Sequence, residues 1–224
     1  MNKQKILIDS GTSYSKLFYI DTGKYEIIPS KQIREKVESL DIAAATGHNA
    51  KKLAQTTINE LIALAKGCED IFQSGRPATV VDCGSRDIKY IKSDGGNSFS
   101  IDWNTECGAF CGQIVELLVT HFQFDTRNIE PAQSPLPLTC AILGMTRMFD
   151  LICDNADPES AFAMFIKGLA DNIFRFAGKP DKIYLSGGLC DNPLFIKSFD
   201  NTEVVPLGRF ILIEGLKKSF FETI

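Results

Sequence analysis

Near its start the chain reads Asp9-x-Gly11-Thr12-x-x-x-Lys16, and seventy-three positions on it reads Asp82-x-Gly84-Ser85-x-x-x-Lys89. Acid, glycine, hydroxyl and lysine recur at the same offsets. An internal repeat constrains architecture more than composition does, because two copies of one local design imply two related halves. Each copy lies between apolar runs of strand character: Lys5–Ile8 and Lys16–Ile20 in the first, Thr79–Val81 and the run holding Lys89 in the second. Each is therefore expected to be a β-hairpin with a small, hydroxyl-rich turn.

Around the hairpins the pattern alternates strands with helices. Tyr25–Pro29 and Ile42–Gly47 are expected strands, and residues 50–66 carry Leu53, Thr57, Leu61 and Leu64 at helical spacing before Gly67. In the second half a turn at Asp94-Gly95-Gly96 leads to a cysteine-bearing run, Cys107–Phe122, whose apolar positions repeat with helical period. A Pro-rich connector, Glu130–Pro137, precedes an expected helix over about 138–152. Asp157-Pro158 is a helix start, with the acid as cap and proline in the first position; Gly178 ends that helix. Lys182–Leu185 is a strand leading into Ser186-Gly187-Gly188, Asn192-Pro193 opens a short helix, and a last helix covers about 214–222.

The totals exclude several classes. With 224 residues there is room for two small domains with a real core. A net charge of −4 gives no footprint for nucleic acid, and no apolar run approaches the roughly 20 residues of a membrane span. The start MNKQKILID has no signal-peptide pattern, and seven irregularly spaced cysteines read as reduced thiols, so a cytoplasmic protein is expected.

The chemistry sits in the two turns. Backbone amides and a hydroxyl next to glycine can meet phosphate oxygens at close range. Asp9 and Asp82 would flank a Mg²⁺, chiefly through water since Mg²⁺ dehydrates reluctantly, and Lys16 would neutralise phosphate charge. A single Asp-x-Gly is as easily an ordinary turn; two copies at matched offsets favour the phosphate reading. Gly187-Gly188 at a strand end would let an adenosine lie against the main chain, although a strand-to-helix turn also wants glycine. Cys111, one turn after Cys107, is either an extra metal ligand or core packing, the latter being favoured.

The order phosphate hairpin, phosphate hairpin, Gly-Gly resembles the actin, Hsp70 and sugar-kinase ATPase superfamily. Within it the wording is most similar to the ATP-dependent activators of 2-hydroxyacyl-CoA dehydratases and the ATPase subunits of benzoyl-CoA reductases. The matching stretches are Asp9–Lys16, Val81–Lys89, Asn104–Gly112, Leu138–Ala141 and Ser186–Gly188 with Asn192-Pro193. Departures are Ser85 and Arg86 where the family has glycine and glutamine, Phe110-Cys111 for a Gly-Thr pair, and Gly144–Arg147 for an acidic run.

The resemblance implies an α/β, two-domain actin-like (ribonuclease H-like) fold with duplicated phosphate hairpins. The first subdomain is expected over 1–76, with a C-terminal helix (about 210–224) packing back on it, and the second over 77–209. It implies ATP and Mg²⁺, with Asp9, Asp82, Arg86 and Asp87 catalytic and Gly11, Thr12, Ser13, Lys16, Gly84, Ser85, Gly187 and Gly188 binding nucleotide. It further implies a [4Fe–4S] cluster shared across a homodimer through Cys107 and Cys140, and an electron passed from reduced ferredoxin or flavodoxin to an acyl-CoA dehydratase or reductase. Two other functions remain open: a small kinase with Asp87 as base, and a nucleotide-binding protein without catalysis.

Overall fold

The computed structural model describes residues 3–96, 98–104 and 111–222. They form two compact units, Met1–Ser74 with Arg209–Ile224 and Gly75–Gly208, and besides the elements described below include the short helices α1 (Ile33–Val37), α3 (Glu69–Phe72) and α7 (Pro193–Lys197).

In the first unit β1 (Gln4–Ser10), β2 (Tyr14–Tyr19), β3 (Tyr25–Pro29) and β4 (Leu40–Thr46) make one sheet in the order β3-β2-β1-β4. The first three strands form an antiparallel meander and β4 joins β1 in parallel. Successive side chains of β1 alternate between two cores. Ile6 and Ile8 pack with Leu17, Ile28, Ile33 and Leu40, whereas Leu7 packs with Phe18, Ala44, Ile213 and Leu216. The second core depends on α8 (Ile211–Glu222), the last element of the chain. This helix approaches α2 (Glu60–Gly67) so closely that a Cβ on Gly215 would lie 1.7 Å from the carbonyl oxygen of Ala63. A polar clamp adds to the seam. Tyr25 donates to Glu214, and Lys217 reaches both the Tyr25 hydroxyl, at 2.6 Å, and Glu214, at 2.7 Å.

The helix expected over residues 50–66 begins only at Glu60, where the Asn59 side chain caps it by accepting from Leu61 N–H; Ala50–Lys52 is a single 3₁₀ turn. Between them Thr56 and Ile58 exchange backbone hydrogen bonds with Ala45, at 3.0 and 2.9 Å. The β-branched Thr56-Thr57-Ile58 run answers the open edge of β4 more readily than it continues a helix.

The second unit repeats the plan. β5 (Ala78–Cys83), β6 (Ile88–Ser93), β7 (Phe99–Asn104), β8 (Lys182–Gly187) and β9 (Glu203–Gly208) run in the order β7-β6-β5-β8-β9. Its antiparallel meander, β5-β6-β7, and parallel neighbour, β8, match β1-β2-β3 and β4 one for one. The duplication read from eight residues thus extends to the connectivity of both sheets. The core of this unit lies under α4 (Cys111–Phe122), α5 (Ala141–Cys153) and α6 (Pro158–Phe176), with Phe162, Phe165, Leu169 and Ile173 of α6 at its centre. Asp157 caps α6 through Ser160 N–H, with Pro158 next, as the sequence implies.

Two strands had no expectation attached. β7 stands between the Asp94–Gly96 turn and the helical run, and β9 carries Pro206, which an edge strand tolerates. The last helix starts at Ile211 rather than 214. Cys107 and Phe110 lie outside the described residues, so the described part of the first cysteine helix begins at Cys111. Among the described residues no helix is long and apolar enough to cross a membrane.

Candidate functional site

In the first hairpin Asp9 stands opposite Lys16 in the β1–β2 register, and the Lys16 ammonium lies 2.8 Å from the Asp9 carboxylate. The matched offset of acid and lysine is therefore a cross-strand pairing rule: seven residues apart places them face to face over the turn. Gly11, Thr12 and Ser13 form that turn. Ser30 ties it down, its hydroxyl donating to the Gly11 carbonyl at 2.9 Å and its N–H to the Ser13 carbonyl at 2.9 Å. Gly47, with φ of +94°, closes the other side; a Cβ there would fall 2.6 Å from Asp9 Oδ1 and 2.7 Å from Ser10 N.

The second hairpin keeps the register, Asp82 opposite Lys89, but changes the pairing. Lys89, only 1% exposed, lies 2.9 Å from Asp87 Oδ1 and 3.8 Å from Asp82 Oδ2. Asp87 Oδ2 accepts from the indole N–H of Trp103 on β7, at 2.9 Å, and the Lys89 ammonium sits 5.1 Å from the centre of that ring. Both Asp87 oxygens are thus engaged in anchoring the hairpin. Arg86 is exposed at the tip, with Gly84 and Ser85 half-buried beside it. Gly84 N–H donates to the Asp87 carbonyl at 3.0 Å, closing the turn.

At the end of β8, Ser186 pairs with Asp82 and Gly187 with Cys83 in parallel register. Gly187, with φ of +88°, crosses so near β5 that a Cβ would meet the Cys83 carbonyl oxygen at 2.3 Å. Gly188 opens the 3₁₀ turn that follows.

Two hydroxyls test whether these hairpins suit a hydrated cation and phosphates. Ser10 Oγ, next to Asp9, and Ser186 Oγ, across from Asp82, are buried without a hydrogen-bond partner among the described residues. Buried polar groups are normally satisfied, and a ligand oxygen or metal-bound water would satisfy these two. The fit is good in each unit. Sequence reasoning passed over both serines and Trp103; Ser10 is adjacent to a motif residue, whereas Trp103 reaches the hairpin only through sheet pairing.

Cys140 stands at the N-cap of α5, where its sulfur accepts from Leu143 N–H at 3.4 Å. A helix N-terminus favours an anionic ligand group. Cys107 lies outside the described residues, and among those described no group of three or more His, Cys, Asp or Glu could hold a metal ion. Cys111 is different. It is buried in the core, and burial pushes its thiol up to about 12, so it stays protonated; burial likewise raises the Cys83 thiol well above its ordinary value. Iodoacetamide on the native protein at pH 8 is expected to modify exposed Cys153 at least about 100-fold faster than Cys83 or Cys111. Peptide mass spectrometry over time reads this, and labelling of Cys111 at the Cys153 rate would refute the core assignment.

No protein-family model matches the chain. It is 21% identical over 217 residues to the (R)-2-hydroxyglutaryl-CoA dehydratase activating ATPase of Acidaminococcus fermentans, covering 83% of this chain and 82% of that protein. Among solved structures, the activator of the 2-hydroxyisocaproyl-CoA dehydratase from Clostridium difficile, with bound ADPNP, aligns with a TM-score of 0.75 at 18% identity, over 98% of this chain and 95% of that one. Component A of the Acidaminococcus fermentans (R)-2-hydroxyglutaryl-CoA dehydratase gives a TM-score of 0.69 at 16% identity, over 98% and 97%. An archaeal actin homologue gives 0.55 at 10% identity, over 99% and 100%. The chain has the actin-like ATPase fold, and over most of its length it is similar to the ATP-dependent activators of 2-hydroxyacyl-CoA dehydratases.

Proposed function

We propose that this chain hydrolyses ATP and uses the cycle to drive an electron into a partner acyl-CoA dehydratase or reductase. The observation that carries the reading is the pair of matched Asp-x-Gly hairpins, each with a buried, unsatisfied serine hydroxyl beside its acid, in a chain similar to a dehydratase-activating ATPase. Each turn offers amides and hydroxyls to phosphate: Gly11, Thr12 and Ser13 with Lys16 in the first, Gly84 and Ser85 with Arg86 in the second. Asp9 in its hairpin and Asp82 in its own would each offer a carboxylate to the water shell of Mg²⁺, which would supply charge neutralisation for phosphoryl transfer when bound. Gly187 and Gly188 give the adenosine its approach to the main chain. Loss of the γ-phosphate contacts then biases a two-state element, as in other nucleotide switches.

The electron carrier in this reading is a [4Fe–4S] cluster shared by two copies of the chain, which supplies one-electron chemistry when bound. Cys140 and Cys107 of each copy would hold it. Exposed Ile142 and Leu143, two and three residues after Cys140, would give a second copy apolar surface to cover at that point. Reduced ferredoxin or flavodoxin would be the donor, in the cytoplasm. The kinase alternative has less support, because Asp87, its base, already spends both oxygens on Lys89 and Trp103.

Anaerobic purification followed by iron, acid-labile sulfide and ATPase assays tests the reading. The expected result is about four irons per dimer, with absorbance near roughly 400 nm that vanishes in Cys140→Ala, and Mg²⁺-dependent ATP hydrolysis. A protein that hydrolyses ATP but stays colourless after anaerobic reconstitution would refute the cluster and leave the ATPase.

A further inference from the structure

The first turn is held from outside its own hairpin. Ser30, which follows β3, meets it at three points. Its N–H donates to the Ser13 carbonyl, its hydroxyl donates to the Gly11 carbonyl, and its Oγ lies 2.9 Å from Ser15 Oγ. The direction of the last bond follows from the proton count. A serine hydroxyl has one proton, Ser30 gives its own to Gly11, and so Ser15 is the donor to Ser30. A chain of two hydroxyls therefore runs from Ser15 to Ser30 to Gly11, rooted in a wholly buried side chain on β2. Its effect on the turn is a matter of peptide geometry. In a trans peptide the C=O and the following N–H point in opposite directions, and none of the described peptide bonds is cis. Drawing the Gly11 carbonyl toward Ser30 turns the Thr12 N–H to the far side of the turn.

The second turn has a different brace. There the Ser85 carbonyl accepts from Gln113 N–H on α4 at 3.1 Å, and a Cβ on Gly112 would lie 2.5 Å from the Gly84 carbonyl oxygen. Each turn thus has a carbonyl tied to an element outside its hairpin, by a side chain in the first and by main chain in the second. We propose that Ser30 is a positioning residue for the nucleotide: by holding the Gly11 carbonyl, its hydroxyl presents the Thr12 amide to a phosphate oxygen. The proposal rests on the ATPase reading and deepens it, since Ser30 stands nineteen residues from Gly11 and outside both hairpin motifs. The physical consequence is preorganisation. An amide already aimed at the anion does not have to be ordered on binding. Without the Ser30 hydroxyl the Gly11–Thr12 peptide can rotate, and glycine makes that rotation easy.

The test is the calorimetric affinity of the full chain for ADPNP, a nucleotide that is bound but not turned over, with melting read on the same preparations. Ser30→Ala keeps the N–H bond to Ser13 and loses the hydroxyl. Its dissociation constant is expected to rise about five- to tenfold, with melting little changed. Ser30→Thr puts a hydroxyl back in the same place and should return the constant to within about twofold of wild type. A merely structural role would lower melting and leave affinity alone. Ser15→Ala removes the donor behind Ser30 and is expected to weaken binding about two- to threefold. Added to Ser30→Ala it should cost no further affinity, because both substitutions act through one hydroxyl. A folded Ser30→Ala protein with wild-type affinity overturns the proposal and leaves the ATPase reading intact, as does a Ser30→Thr protein that binds as weakly as Ser30→Ala. If Ser30→Ala does not fold, Ser15→Ala decides, wild-type affinity being the adverse result. A wild-type protein that does not bind ADPNP overturns the ATPase reading, and the proposal with it.

Discussion

Asp82→Asn is expected to lower ATP hydrolysis by about 10²–10³-fold while changing the melting temperature little, and Asp9→Asn is expected to unfold the first unit more readily. The two acids occupy matching places in matching hairpins, so the contrast has to come from their partners. Asn at position 82 keeps the shape of the side chain. Lys89 retains Asp87 at 2.9 Å, so no buried ammonium is stranded. What disappears is the negative charge that would order the Mg²⁺ water shell, and that charge matters most as the phosphoryl group transfers. At position 9 the same change removes the carboxylate facing Lys16. The side chains of that pair are 14% and 4% exposed, and breaking a pair of this kind costs about 3–5 kcal/mol. Urea unfolding with ATPase assays on the same preparations reads both effects. If Asp82→Asn loses as much stability as Asp9→Asn, Lys89 does not hold to Asp87 as described; if its ATPase is unchanged, Asp82 has no part in hydrolysis.

What the sequence disclosed about this site was local, and what it hid was not. The Asp, Gly, hydroxyl and Lys of each hairpin fall within eight residues, and turn chemistry is written at that range. The doubled arrangement of the sheets followed from it. Trp103 lies sixteen residues from Asp87, and only the β6–β7 register brings them together. The alternation Phe99, Ile101, Trp103 marks β7 as a strand, yet Phe99 and Ile101 are half exposed, so the strand lacks the buried face that makes such a pattern persuasive. The helical spacing of Leu53, Thr57, Leu61 and Leu64 misled for the opposite reason. The period was present, but Ala45 at the edge of β4 offered Thr56 and Ile58 a hydrogen-bonding partner that no periodicity can reveal. The cysteine is the opposite case: the helical period of Cys107–Phe122 places Cys111 on the apolar face and favours core packing, and its burial beside Val115 and Leu118 decides its chemistry.

The Gly-Gly pair can be divided by substitution between a turn that merely prefers glycine and a close approach that requires it. Gly187→Ala is expected to cost about 2–5 kcal/mol, as the sum of left-handed strain at about 1–2 and a steric conflict at about 1–3. The strain follows from φ of +88°, and the conflict from a Cβ placed 2.3 Å from the Cys83 carbonyl oxygen and 2.9 Å from its nitrogen. Those atoms belong to a central strand and cannot rotate aside as the end of a side chain could. Gly208→Ala supplies the control, because φ there is +84° with nothing within 4 Å of the added carbon. It should carry the strain alone, so the difference between the two isolates the contact of β8 with β5. That contact also sets Ser186 opposite Asp82, so a Gly187→Ala protein that still folds should lose ATP hydrolysis along with stability. Equal costs at positions 187 and 208 would mean that β8 moves off β5 freely. In that case Gly187 is a turn residue like any other, and the case for an adenosine lying against this strand end falls back on Gly188.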